Sequence, residues 1–253
     1  MIRGRWNGWR NVSSKAAARA GGLADEGSVL AETLEVLSGS MPRYADWLTE
    51  QIVIGNPQSI LEVGAGTGTI TECLARVGRV TAVEPASDSR AILERNTANL
   101  DNVSVVGRLE DCGPLERFDA IVLINVLEHI DTDVAFLTQL RDYLSPNGYI
   151  AVLSPAHNAL YSKFDASIGH VRRYTRRRLE LTLRHAGYRD ANVRYFNFVG
   201  AFLWFAVNRL GGRSSATEGQ TALYDRVIVP ISRAVDRIRI RPFGQSVVGV
   251  GRS

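Results

Sequence analysis

The chain has 253 residues, 45% of them hydrophobic and 22% charged. That apolar share excludes a chain disordered throughout, and the length suits one large domain or a domain carrying a lid. Thirty basic residues against 26 acidic ones leave a net charge of +4, too small, without a recognition motif, to mark a nucleic-acid binder.

Residues 1–24 are rich in Gly, Ala and Arg without periodicity and read as a flexible arm, with the domain proper spanning 25–253. The first twenty residues lack the apolar stretch of a secretory signal. Helical spacing then runs through Leu30, Leu34 and Leu37, and again through Tyr44, Trp47, Leu48 and Ile52. Pro42 divides these into two helices, because proline fits a first turn and not a helix interior. After the turn at Asn56 and Pro57, strands and helices alternate: strand 59–63, helix 69–77, strand 80–83, helix 87–100, strand 103–106, strand 118–124, helix 132–144 and strand 149–153. Such alternation implies a parallel sheet with right-handed crossovers. Further on, 175–186 reads as a helix with Thr175 as its N-cap and Gly187 as its stop. Residues 192–196 and 245–250 read as two more strands. Between them, 197–245 is a long excursion with apolar helical segments. The longest apolar run, 196–207, falls short of the roughly 20 residues that cross a bilayer. A cytoplasmic location is the expectation. Cys73 and Cys112 stand alone, so neither a disulfide framework nor a cysteine zinc site is expected.

The strongest motif is ILEVGAGTG at 60–68, between the first strand and the helix that follows. Gly64, Gly66 and Gly68 let the backbone turn sharply and lie directly against a ligand. Glu84 ends the second strand, where a carboxylate accepts hydrogen bonds from both ribose hydroxyls of an adenosine group. The dinucleotide fingerprint is Gly-x-Gly-x-x-Gly. Here the last slot is Thr69, and Glu62 sits near the loop mouth, where a carboxylate suits an amino-acid ammonium better than a pyrophosphate. S-adenosylmethionine is the expected ligand. A nicotinamide-dependent oxidoreductase and a non-catalytic binder of S-adenosylmethionine are the rival readings.

In these stretches the chain resembles the class I S-adenosylmethionine-dependent methyltransferases. ILEVGAGTG is similar to the family's first motif, VTAVEP (80–85) to its second strand, VVGRLEDC (105–112) to its adenine-framing segment, and FDAIVLINVLEHI (118–130) to its fourth strand and following loop. The resemblance covers about 55–200. It implies a Rossmann-like, doubly wound α/β sheet of seven strands, mostly parallel with the last antiparallel, with N-terminal helices and a helical insertion before the last strand. The cofactor-binding residues it implies are Glu62, Gly64, Ala65, Gly66, Gly68, Glu84, Pro85, Asn125 and Val126. Arg108 stands where the family often has an acidic residue, which moves the adenine contacts to Leu109 and Glu110. The product would be S-adenosylhomocysteine.

Methyl transfer from a sulfonium needs alignment, and a hydroxyl or ammonium acceptor must also lose a proton. His129, His157, His170 and Tyr174 are the candidates on that side. For His129 the competing reading is a residue that merely orders the loop. Tyr161, Asp165 and Arg173 are candidate acceptor contacts in the long loop 154–178. The alternative is a solvated loop in which Asp165 pairs with an arginine. Arg172, Arg173, Arg176, Arg177 and Arg178 either bind an anionic group of the acceptor or begin an exposed helix. No metal is expected, because no carboxylates cluster in the sequence as a magnesium site requires. Phe196, Phe198, Phe202, Trp204 and Phe205, followed by arginines, make 196–245 a lid, a greasy acceptor pocket or a peripheral membrane patch. The expected partner is a small acceptor methylated on oxygen or nitrogen, with an amphipathic or natural-product-like molecule among the options.

Overall fold

The computed structural model describes residues 41–113, 115–201, 218–237 and 242–253. Seven strands form one sheet: β1 (Ser59–Val63), β2 (Arg79–Val83), β3 (Val103–Val106), β4 (Phe118–Ile124), β5 (Leu144–Pro155), β6 (Arg189–Phe196) and β7 (Ser246–Arg252). Their order across the sheet is β3-β2-β1-β4-β5-β7-β6. Neighbours from β3 to β5 run parallel, and β7 lies antiparallel between β5 and β6. This is the expected architecture. The chain order reverses beside β1, the place where open α/β sheets leave a crevice at their strand ends.

Every residue of β1 is buried, as suits a central parallel strand covered on both faces. Alternate side chains feed two cores. Leu61, Ile121 and Val152 face one with Leu137, Leu179 and Leu183. Ile60, Val122 and Ala151 face the other with Trp47, Leu74 and Phe196. Five helices cover these faces: α1 (Pro42–Ile52), α2 (Thr69–Ala75), α3 (Ser87–Asn96), α4 (Asp133–Leu140) and, after the short α5 (Lys163–Ser167), α6 (Arg176–His185). Pro42 begins α1 as expected, and the Thr175 hydroxyl accepts from the Arg178 amide to cap α6. Gly187 then adopts φ +88° beyond the helix end. The arm 1–24 and the first expected helix lie outside the described residues.

The sequence reading errs at some element ends. Helices α2 and α3 are shorter than the spans 69–77 and 87–100. Strand β5 starts five residues early: Leu144 pairs with Phe118, and regular pairing resumes at Tyr149 with Ala120. Ser145, Pro146, Asn147 and Gly148 therefore form an irregularity inside the strand, although their composition reads as a turn. Strand β6 likewise begins at Arg189, across an irregularity that places Asp190 at φ +51°.

Within 197–245, residues 218–236 are helical: α7 (Glu218–Leu223), one π-helical turn (Tyr224–Ile228) and α8 (Val229–Asp236). The buried Asp225 carboxylate accepts from the amides of Arg43 and Tyr44 at 3.2 and 2.9 Å. It meets unpaired amides and the positive dipole end of α1. Asp236 accepts in the same way from the amides of Asn197 and Phe198 at 2.8 and 3.1 Å. Phe196 is core, 4.3 Å centroid to centroid from Trp47. Phe202, Trp204 and Phe205 lie outside the described residues. Leu223, Val227 and Ile231, spaced four apart, are exposed on the outer side. No helix among the described residues is long and apolar enough to cross a membrane.

Candidate active site

The glycine loop leaves β1 and folds back onto β2: the amides of Gly64 and Ala65 both donate to the Val83 carbonyl, at 2.8 and 3.1 Å. Gly64 has φ +76°, and a Cβ built there would lie 2.5 Å from Val126 Cγ2. Glycine is thus required both for the turn and for the approach of the β4 end. At Gly66, φ +59°, an added Cβ would meet nothing within 4 Å. The backbone here presents an open face.

Glu84, just past β2, is buried, with Oε2 accepting from the Gly66 amide at 2.8 Å and Oε1 from the Ala86 amide at 2.9 Å. Burial raises its pKa, while those two amides and Arg90 oppose the rise. A carboxylate has about four acceptor positions, so two stay available for hydroxyl donors. Arg90 braces the corner by donating to the carbonyls of Glu84 and Pro85. Glu62 lies under the loop, its Oε2 accepting from the Thr71 hydroxyl at 2.6 Å. Burial pushes Glu62 up to about 8, the Thr71 bond lowering it in part and the Glu84 charge adding to the rise.

A pH effect follows. Between its ordinary 4.5 and about 8, folded Glu62 holds a proton that the unfolded chain has released, so its contribution to stability falls as pH rises through that window. Glu62→Gln removes the titration. In denaturant melts of the protein without cofactor, the variant should gain on wild type from about pH 5 to about pH 8; parallel curves would refute a protonated Glu62.

Leu109 and Glu110 lie in a 3₁₀ turn, Leu109 buried and Glu110 exposed. The Leu109 carbonyl already accepts from the Tyr143 hydroxyl and the Cys112 amide. Asn125, exposed at φ +52°, ends β4 and is followed by Val126 against Gly64. The next residues, Leu127–His129, form another 3₁₀ turn, which sets Glu128 and His129 directly beyond the glycine loop.

The long loop returns to this turn, where the Val171 amide donates to the Glu128 carbonyl. Glu128 is fully buried, with Oε2 accepting from the Ser154 hydroxyl at 2.9 Å. Burial pushes its carboxyl up to about 8 against the pull of its own backbone amide, Ser154 and Arg173. His170 Nε2 faces Glu128 Oε1 at 3.7 Å, and the ring of His129 stands edge-on to that of His170 at 4.7 Å. Burial, and then the charge of His170, depress His129 to about 4. Burial also lowers His170, while Asp165, 2.9 Å from Nδ1, works against that.

Asp165 and Arg173 form a buried bidentate pair, Nε to Oδ1 at 2.8 Å and Nη2 to Oδ2 at 3.0 Å. The expected aspartate–arginine pair therefore exists, but in the interior and not on a solvated loop. Burial would raise the Asp165 carboxyl, yet Arg173, His170 and the Ser162 amide hold it below the usual range. Tyr161 donates its hydroxyl to the His170 carbonyl at 2.6 Å.

Several candidates are not brought to the cluster. Tyr174 is fully buried, its hydroxyl bonded to Asp133 at 2.7 Å. His157 is stacked between Phe243 and Tyr195, at 4.0 and 4.7 Å, and its place is in packing. Arg173 braces the loop through Asp165 and the Ala156 carbonyl. The basic run divides: Arg172 pairs with Asp133 at 2.7 Å, while Arg176, Arg177 and Arg178 are exposed at the start of α6. Sequence reasoning missed Glu128. Its signal was a carboxylate set between the apolar Leu127 and Ile130, next to a histidine.

A seven-stranded sheet in this order, with a glycine loop after β1 and an acidic residue closing β2, defines the class I S-adenosylmethionine-dependent methyltransferase fold. Residues 32–193 match the family described as "Methyltransferase domain", and the chain belongs to that family. Family membership sets aside the nicotinamide reading. One relative is the mitochondrial ubiquinone biosynthesis O-methyltransferase of Schizosaccharomyces pombe, 36% identical over 114 residues, or 42% of this chain and 40% of the relative. Another is the malonyl-[acyl-carrier protein] O-methyltransferase of Halalkalibacterium halodurans, 29% identical over 118 residues and 44% of each chain. The matches thus span about two fifths of these relatives' lengths. Among solved structures, a methyltransferase of Thermotoga maritima aligns with a TM-score of 0.57 at 16% identity, covering 87% of this chain and 93% of that one.

Proposed function

We propose that the protein transfers a methyl group from S-adenosylmethionine to a hydroxyl oxygen of a small acceptor. The supporting observation is one contact. Val126 lies against Gly64, so the turn bearing Glu128 and His129 begins beside the start of the glycine loop. Cofactor cradle and proton-handling groups are thereby set side by side.

The chain's residues fit the cofactor. Gly66 offers an open backbone face and Glu84 keeps acceptor capacity for the ribose hydroxyls. On this reading Glu62 takes the ammonium, Leu109 and Glu110 frame adenine, and Ala65, Gly68, Pro85, Asn125 and Val126 complete the cradle. When bound, S-adenosylmethionine supplies an activated methyl carbon. What the protein adds is alignment, exclusion of water and a place for the hydroxyl proton. That place is the Glu128, His129 and His170 cluster, with Asp165 fixing the His170 ring. The relatives named as O-methyltransferases favour oxygen over nitrogen. The exposed Leu223, Val227 and Ile231 favour an amphipathic acceptor met at a membrane surface.

The test is formation of S-adenosylhomocysteine over a panel of phenols, alcohols and carboxylic acids, each beside its amine counterpart. His170→Ala should keep cofactor affinity and lower turnover at least about a hundredfold, the scale of a lost proton-transfer group. Turnover on amines alone would refute the oxygen assignment. Full turnover by the variant would remove His170 from the mechanism.

A further inference from the structure

Glu128, His129 and His170 each offer a ligand atom, and the three atoms lie within 4.8 Å of one another. Their surroundings decide which atoms carry lone pairs. Asp165 Oδ1 accepts from Arg173 Nε, and Oδ2 accepts from Arg173 Nη2 and from the Ser162 amide and hydroxyl. So many donors mark Asp165 as an ionised, acceptor-only group. The bond at 2.9 Å to His170 is therefore donated by Nδ1–H, so in the neutral ring Nε2 carries the lone pair. It faces Glu128 Oε1 at 3.7 Å. That oxygen is buried and has no hydrogen-bond partner, while its twin is held by Ser154. One nitrogen of His129 is bonded to the Gly169 backbone, leaving the other for the cluster.

Two buried acceptors that face one another repel unless something positive lies between them. A proton on Oε1 would have to reach across 3.7 Å, beyond hydrogen-bond range. A cation fits the gap: ligand atoms of tetrahedral zinc, each about 2.0–2.2 Å from the metal, lie about 3.3–3.6 Å apart. The donor set is two imidazoles and a carboxylate, which suits zinc and its first-row neighbours better than magnesium. The supporting bonds match as well. Asp165 on His170 Nδ1 is the carboxylate–histidine arrangement that orients metal-bound imidazoles, and Ser154 fixes the Glu128 carboxylate.

We propose that Glu128, His129 and His170 bind a divalent cation of the zinc type, with a fourth position left for water or an acceptor oxygen. His129, the partly exposed member, marks the open side. The proposal departs from the expectation that no metal is used, which considers only clustered carboxylates. A hydroxyl bound to such a cation loses its proton more readily. That role rests on the methyl-transfer reading, but the binding itself does not.

The experiment is metal titration of the full chain after chelation and dialysis, without cofactor or acceptor. One equivalent of Zn²⁺ per chain is expected by calorimetry. Co²⁺ should give the visible absorption of a four-coordinate nitrogen and oxygen site, without the thiolate charge-transfer band that Cys73 or Cys112 would produce. Glu128→Gln and His170→Asn should each weaken Zn²⁺ at least tenfold while leaving S-adenosylmethionine affinity unchanged. No stoichiometric binding, a thiolate band, or full affinity in both variants would overturn the proposal. If Glu128→Gln fails to fold, His170→Asn and the cobalt spectrum still decide. Loss of the metal site with turnover intact would leave the methyl-transfer reading standing. Stoichiometric metal without turnover on any acceptor would do the reverse.

Discussion

Arg173→Met should lower folding stability by about 3–5 kcal/mol, the scale for removing one partner of a buried ion pair. The Asp165 and Arg173 side chains are 1% and 5% exposed. Without the guanidinium, Asp165 keeps the Ser162 and His170 donors but loses both charged bonds. The stranded carboxylate, more than the missing contact, sets the size of the loss. Adding Asp165→Asn removes that charge, so the double variant should be less impaired than Arg173→Met alone. Chemical denaturation of the wild type, both single variants and the double variant measures this. A single-variant loss below about 1 kcal/mol would mean that water reaches the pair.

Glu84→Ala should weaken S-adenosylmethionine binding by about 1–3 kcal/mol, roughly fivefold to 150-fold in Kd. Two effects combine. The ribose loses its acceptor, and the Gly66 amide loses the oxygen that holds the loop. Glu84→Gln separates them, because its side-chain carbonyl can still accept from Gly66 but carries no charge. Calorimetry should place Glu84→Gln between wild type and Glu84→Ala. Unchanged affinity in Glu84→Ala would exclude the ribose assignment.

Local patterns carried most of the fold. The strand at 118–124 and the loop at 60–68 were legible because each depends on a few neighbours in sequence. The start of β5 was not, because Pro146, Asn147 and Gly148 have turn chemistry and only pairing with β4 makes Leu144 part of the strand. The candidate site divides in the same way. Its cradle is local, whereas His170 reaches Glu128 through the return of a long loop. His157 and Tyr174 looked equivalent to His170 from the sequence. The stacking of His157 on Phe243 and the Tyr174 bond to Asp133 come from packing that no spacing rule encodes. Glu128 went unselected because a carboxylate in an apolar run gains meaning only when its neighbours in space are known.

Asp225 and Asp236 stand eleven residues apart on one helical rod, a span of about 16 Å. A single anchor would let that rod pivot. Two anchors, one on the amides at the start of α1 and the other on those just past β6, settle both its position and its heading. Main-chain amides do not depend on side-chain identity, so the exposed Val227 and Ile231 between the anchors can change without unseating the rod, while Val229 stays tied to the core. The outer surface of this segment can thus vary while the scaffold beneath stays fixed.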